Sequence, residues 1–198
     1  MTPGTLDSVD RTTRPWCLFL DRDGVINRRI LGGYVRDWSE FTFETGALEA
    51  LAILARWAPH IVVVTNQQGV GKGIMSSSAL AEIHERMRLS VAHAGGRIDA
   101  IQHCPHLASA DCDCRKPNAG MAAQYLAAHH QLDASLSVMV GDTDSDIEMG
   151  RRLAGLTGGC VTVRIDKHPD PIADATYRSL AEFAAAIAPR LGATAAGG

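Results

Sequence analysis

Short apolar runs recur along this chain and each stops abruptly at polar residues. The first is CLFL at 17–20. It is followed by HIVVVT at 60–65, DAIQHC at 99–104, SVMVGD at 137–142 and CVTVRI at 160–165. Several are continuous and rich in Val and Ile, the pattern of strands covered on both faces. Between them lie stretches with helical spacing. Residues 46–57 are rich in Ala and Leu. In 78–94, Leu80, Ile83, Met87 and Val91 recur at three and four residues, and the serines before them can cap the helix. Segments 119–129, 146–153 and 179–191 complete the alternation. Strands alternating with helices at this interval predict an α/β, doubly wound, Rossmann-like parallel sheet. Residues 1–14 are expected to be a flexible leader, 15–191 a single domain and 192–198 a flexible tail.

Ligands of such sheets bind beyond the carboxyl ends of the strands. There the chain places Asp21 and Asp23 after the first run, Thr65 and Asn66 after the second, and Asp142 and Asp146 after the fourth. Three strands therefore end in short polar groups that can converge on one crevice. So many carboxylates together repel one another unless a cation is shared, and hard oxygen ligands with room for water and phosphate suit Mg²⁺. An EF-hand reading of DTDSD at 142–146 fails, because Ile147 and Leu153 stand where that loop needs Gly and Glu. Acidic turns and helix caps remain the plain alternative for this segment. In RKP at 115–117, Lys116 can neutralise a phosphate oxygen, and Thr65 can donate a hydroxyl and a backbone N–H.

The glycine-rich QQGVGKG at 67–73 fits neither a Walker loop nor a dinucleotide fingerprint: Gly73 follows Lys72 where Ser or Thr is needed, and Ile74 occupies a required Gly or Ala position. It reads as a loop that can bring Lys72 to a ligand. In HCPHLASADCDCRKP at 103–117, Cys104, His106, Cys112 and Cys114 offer three thiolates and an imidazole within eleven residues, a donor set for a closed structural Zn²⁺ site over 104–114. A redox pair at Cys112 and Cys114 is the alternative. His103 is read as a bystander.

Bulk composition narrows the partners. The 198 residues are 46% hydrophobic and 21% charged, with a formal net charge of −3. That balance offers no basic face for nucleic acid or acidic lipid. No apolar run has the length of a membrane span, and the first residues carry no apolar signal core. The expected setting is cytoplasmic, and in a reducing compartment the crowding of Cys104, Cys112 and Cys114 suggests metal before disulfide.

Taken in order, DRDGVIN (21–27), TNQ (65–67), RKP (115–117) and GDTDSD (141–146) resemble the four motifs of the haloacid dehalogenase (HAD) phosphatase superfamily. Within it, CPH…CDCRKP resembles the zinc-loop group that holds heptose 1,7-bisphosphate 7-phosphatases and histidinol-phosphate phosphatases. The resemblance implies a Mg²⁺-dependent hydrolase in which Asp21 attacks phosphorus and Asp23 is acid, then base. An acid needs a proton at the outset, and neighbouring negative charge is expected to supply that condition at Asp23. Mg²⁺ would take the Asp21 carboxylate, the Asp23 backbone carbonyl and Asp142, with Asp146 either helping there or holding Lys116. Thr65, Asn66, Gln67, Arg115 and Lys116, together with Gly33, Tyr34 and Lys72, would contact phosphate and substrate.

The five-residue gap in the zinc loop resembles the histidinol-phosphate group. NRRILGGYVRDWSEFTF (27–43) and TNQQGVGKG (65–73) resemble the heptose group, and the balance favours the latter. A bisphosphate needs a second basic contact, for which Arg28, Arg29, Arg36 and Lys72 are candidates. Thr143 departs from the basic residue usual in the heptose group. With no segment long enough for a large cap, residues 24–45 are expected to form a small flap over an open pocket. That pocket would suit a small phosphorylated sugar or alcohol, in a monomer. A nucleic-acid 3′-phosphatase and a non-catalytic, zinc-stabilised binding module are the competing classes.

Overall fold

The computed structural model describes residues 14–189 and 191; the expected leader (apart from Arg14) and tail lie outside the described residues. Six strands form one sheet: β1 (Cys17–Leu20), β2 (His60–Asn66), β3 (Ala100–Cys104), β4 (Val138–Gly141), β5 (Val161–Ile165) and β6 (Ala175–Tyr177). Their order is β3-β2-β1-β4-β5-β6 and every pairing is parallel. Five of these strands match the apolar runs. The sixth, ATY, is a three-residue, half-exposed edge strand without the apolar run that marks the others.

The helices are α1 (Ala47–Trp57), α2 (Gln68–Gly71), α3 (Ser77–His93), α4 (Gly120–Ala128), α5 (Asp144–Thr157) and α6 (Leu180–Ile187). Alternate strand residues feed two cores. Leu18, Leu20, Ile61, Val63, Val138 and Val140 face α1, α3 and α6, where Leu51, Leu54, Ile83, Met87, Phe183 and Ile187 meet them. Cys17, Phe19, Val62, Val64 and Met139 point the other way, onto Met121 and Tyr125 of α4 and Met149 and Leu153 of α5. Each fully buried aliphatic or aromatic side chain contributes about 1.5–3 kcal/mol relative to exposure. Both faces are covered, so the strands can be apolar throughout.

The chain reverses direction across the sheet between β1 and β4, which are neighbours in space although two strands intervene in sequence. That is the switch point at which parallel sheets open a crevice. Residues 24–45 leave β1 as a flap, tied by Arg28 N–H to Thr42 O (2.8 Å) and Glu44 N–H to Ile26 O (2.9 Å). Within the flap is a 3₁₀ turn at Trp38–Glu40, with Trp38 stacked on Phe41 at 4.8 Å.

Candidate active site

The crevice is built from the ends of β1, β2 and β4. Asp21 extends β1 by one residue, its N–H bonding Val140 O at 2.9 Å. Its carboxylate accepts from Arg22 N–H at 2.7 Å and pairs with Lys116 Nζ at 2.6 Å. Burial pushes its pKa up although Lys116 opposes this, and Asp146, Asp142 and Asp23 push it further. Lys116 is itself buried; its Nζ also pairs with Asp146 Oδ1 at 2.6 Å and donates to Val64 O at 2.9 Å. Burial would favour its neutral form, yet Asp146 and Asp21 outweigh this and keep it charged.

Asp146 holds that lysine from the first turn of α5. Its Oδ2 accepts from Thr143 N–H (3.0 Å) and Thr143 Oγ1 (2.6 Å), closing a capping box. The expected helix start at 146 therefore moves to 144: Asp146 is a capping residue inside the helix. Asp144 points elsewhere, pairing with Arg164 at 2.9 Å.

Asp142 follows β4 directly. Its Oδ2 pairs with Arg29 at 3.0 Å, while Oδ1 is buried without a hydrogen-bond partner among the described residues. Burial lifts its pKa to about 6, against the pull of Arg29. Gly24 lies at φ +95°, and a Cβ there would sit 2.2 Å from Asp142 Oδ2, so only glycine lets the flap leave β1 past this carboxylate. Oxygens of Asp21, Asp142 and Asp146 lie within 4.8 Å of one another. The raised pKa values of Asp21 and Asp142, an orphan oxygen on Asp142 and an all-carboxylate donor set fit a hard divalent cation.

Asp23 corrects one expectation. Burial works to raise its pKa, but Arg22 opposes this with Nη2 at 3.0 and 2.9 Å from the two carboxylate oxygens. Asn27 Nδ2 donates to Oδ1 at 2.9 Å and Gln67 Nε2 to Oδ2 at 2.8 Å, and the net shift is downward. The carboxylate is held ionised instead of protonated, because an arginine and two amides outweigh the effect of its burial.

The other predicted contacts divide by role. Thr65, Arg115, Lys116, Gly33, Tyr34 and Lys72 line a cavity of about 480 Å³ that opens onto Asp21 and Asp23. Arg115 Nη1 is buried without a hydrogen-bond partner among the described residues, as suits a donor awaiting an anion. Lys72 Nζ donates to Tyr34 OH at 3.0 Å. Asn66 and Gln67 also reach the cavity wall, but their side chains are already engaged. Asn66 donates to Lys116 O (3.1 Å) and accepts from Lys116 N–H (3.0 Å). Gln67 bridges Asp23 and Thr65 Oγ1, the latter at 2.8 Å. Both amides thus line the cavity while also fixing their neighbours, Asn66 the Lys116 backbone and Gln67 the side chains of Asp23 and Thr65. Of the four basic candidates for a second phosphate, Arg29 and Lys72 line the cavity; Arg36 is tied to Glu40, and neither it nor Arg28 belongs to the lining.

Directly before Arg115, the cysteine-rich loop folds its four donors together. Cys104 Sγ lies 3.5 Å from Cys112 Sγ and 3.1 Å from Cys114 Sγ, and His106 Nδ1 is 3.2 Å from Cys114 Sγ. Four N and S donors this close can hold one metal ion. His103 stays outside, its ring 5.6 Å from that of His84. His84 and Arg22 were not singled out in the sequence. The available signal was His84 lying on the apolar stripe of α3, four residues after Leu80 and three before Met87, and all three are buried.

A family model described as "HAD-hyrolase-like" matches residues 113–179. A D-glycero-alpha-D-manno-heptose-1,7-bisphosphate 7-phosphatase of Mycobacterium tuberculosis is 46% identical over 180 residues, covering 90% of this chain and 95% of that protein. A D-glycero-beta-D-manno-heptose-1,7-bisphosphate 7-phosphatase of Vibrio cholerae is 40% identical over 159 residues, covering 76% and 82%. The crystal structure of D,D-heptose 1,7-bisphosphate phosphatase from B. bronchiseptica, complexed with magnesium and phosphate, superposes with a TM-score of 0.78 at 28% identity, over 88% of this chain and 99% of that one. The motif order, the carboxylate–lysine crevice and these likenesses agree: the chain belongs to the heptose-1,7-bisphosphate 7-phosphatase family of HAD-like phosphatases.

Proposed function

We propose that this chain removes the 7-phosphate of D-glycero-D-manno-heptose 1,7-bisphosphate, with the α anomer as preferred substrate. The observation that carries the reaction is the Asp21–Lys116–Asp146 chain beside Asp142 and Asp23, at the mouth of a cavity also lined by Arg29, Lys72 and Arg115. The 46% identity to relatives named for the α anomer carries the anomer choice.

Phosphate would be gripped by Arg115, Lys116 and Thr65, which places phosphorus before the Asp21 carboxylate. Attack by Asp21 forms an aspartyl-phosphate and expels the sugar alkoxide. Asp23 gives that oxygen its proton and then takes one from the water that hydrolyses the intermediate. The free site holds Asp23 ionised, so the arriving phosphate's own charge must raise its proton affinity. Mg²⁺, held by Asp21, Asp142 and the Asp23 backbone carbonyl, would supply the positive charge that lets one anion approach another. Asp146 keeps Lys116 aimed and caps α5. In the Cys104, His106, Cys112, Cys114 cluster, Zn²⁺ is the proposed ion: it would fix the loop that carries Arg115 and Lys116. Lys72 and Arg29 face the same cavity and suit the second phosphate.

A monomeric enzyme of a reducing, cytoplasmic setting is the accompanying proposal; no helix among the described residues is long and apolar enough to cross a membrane. The test is phosphate release, with Mg²⁺, from both anomers of the heptose bisphosphate, from histidinol phosphate and from a 3′-phosphorylated oligonucleotide. Highest kcat/KM on the α anomer is expected. Preference for histidinol phosphate would overturn the substrate while leaving the chemistry intact.

A further inference from the structure

Arg22, the residue between the two catalytic aspartates, is completely buried. A buried guanidinium has to be held on several sides or it turns. Nη2 lies against both oxygens of Asp23, and Nε has no hydrogen-bond partner among the described residues. Nη1 lies 3.2 Å from His84 Nε2, on α3, sixty-two residues away in sequence. We propose that His84 is a positioning residue for the acid–base carboxylate: by accepting from Arg22 Nη1 it fixes the guanidinium whose Nη2 sets the place of Asp23. This rests on the reading of Asp21 as nucleophile and Asp23 as proton carrier.

The chemistry fixes the direction of the contact. Arginine only donates, so His84 Nε2 must carry the lone pair and Nδ1 the proton. Burial, then Arg22 and His103, push the His84 pKa down to about 3, which keeps the ring a neutral acceptor in working conditions. A histidine that merely filled space on the α3 stripe would be replaced at little cost by a leucine, like its neighbours Leu80, Ile83 and Met87. Here the ring provides the acceptor for one end of a buried arginine. Without it, Nη1 turns towards the Asp23 carboxylate or away from it, and either motion displaces the group that must meet the leaving oxygen.

Loss of a proton donor shows only where the leaving group needs a proton. A sugar alkoxide does; nitrophenolate is stable without one. The experiment compares kcat/KM, which reports steps through phosphoryl transfer, on heptose 1,7-bisphosphate and on p-nitrophenyl phosphate. His84→Leu is expected to lower the sugar value about tenfold or more, with less than about threefold change on the nitrophenyl ester. His84→Gln, whose amide oxygen can accept from Nη1, should restore most of the sugar activity. If His84→Leu fails to fold, His84→Met, also without a strong acceptor, takes its place. Equal losses on both esters, or none, would overturn the proposal, as would His84→Gln behaving like His84→Leu. Asp23→Asn serves as the reference. If it shows the leaving-group selectivity and the His84 variants do not, the acid–base reading survives and only His84's role falls. If the wild type cleaves neither ester, both readings fall together.

Discussion

Replacing Lys116 by Met removes a buried cation that two carboxylates share. Nζ lies 2.6 Å from Asp21 and from Asp146, and all three side chains are at most 5% exposed. Breaking a buried ion pair by deleting one partner costs about 3–5 kcal/mol, because the remaining charge stays out of water. For a chain of this size each kcal/mol corresponds to roughly 2–4 °C, so the metal-free variant should melt roughly 10 °C below wild type. Differential scanning calorimetry in EDTA reads this directly. Adding Mg²⁺ should return part of the loss, since a cation at Asp21 and Asp142 supplies the missing positive charge. The partner variant Asp146→Asn retains an acceptor for the Thr143 cap but loses its charge. In a double-mutant cycle, Lys116→Met combined with Asp146→Asn should be less destabilised than the sum of the singles by more than about 1 kcal/mol. A melting shift under about 3 °C, or strict additivity, would refute the electrostatic account of the crevice.

Gly24→Ala should abolish Mg²⁺ binding measured by calorimetry while the circular dichroism spectrum persists, because its Cβ would strike Asp142 Oδ2; unchanged affinity would contradict the packing at that turn. Replacing Cys112 and Cys114 together by Ser should lose about one equivalent of zinc per chain by elemental analysis and lower Tm by several degrees; full stability without metal would refute a structural role. The folded chain keeps His84 neutral down to about pH 3, whereas the unfolded chain protonates it near 6.5. Its contribution is therefore present above pH 6.5 and lost as pH falls towards 3. In urea titrations, His84→Leu should flatten the acid slope by up to about 1.4 kcal/mol per pH unit relative to wild type; parallel slopes would count against it.

The strand ends were legible because burial on both faces writes continuous apolar runs, and the polar residue that stops each run is where the crevice opens. The cysteine loop was legible for another reason: its four donors are local in sequence. What escaped was either too short to leave a pattern or non-local. Strand β6 has three half-exposed residues, and α2 has four residues within a glycine-rich loop. For Asp146 the sequence left two readings open, metal site or partner of Lys116, because a capping box and a metal site use the same residue types after a strand; the structure pairs it with Lys116. The protonation expected at Asp23 failed since its main partner, Arg22, is a neighbour whose inward direction no periodicity records. The link from Arg22 to His84 spans sixty-two residues and exists only once α3 packs on the sheet.

The most direct test of the central claim is ³¹P NMR of D-glycero-α-D-manno-heptose 1,7-bisphosphate incubated with the enzyme and Mg²⁺, beside Asp21→Asn. Loss of the 7-phosphate resonance with the 1-phosphate intact, and no change with Asp21→Asn, is the predicted result. Release of the anomeric phosphate, or turnover by Asp21→Asn at the wild-type rate, would contradict it.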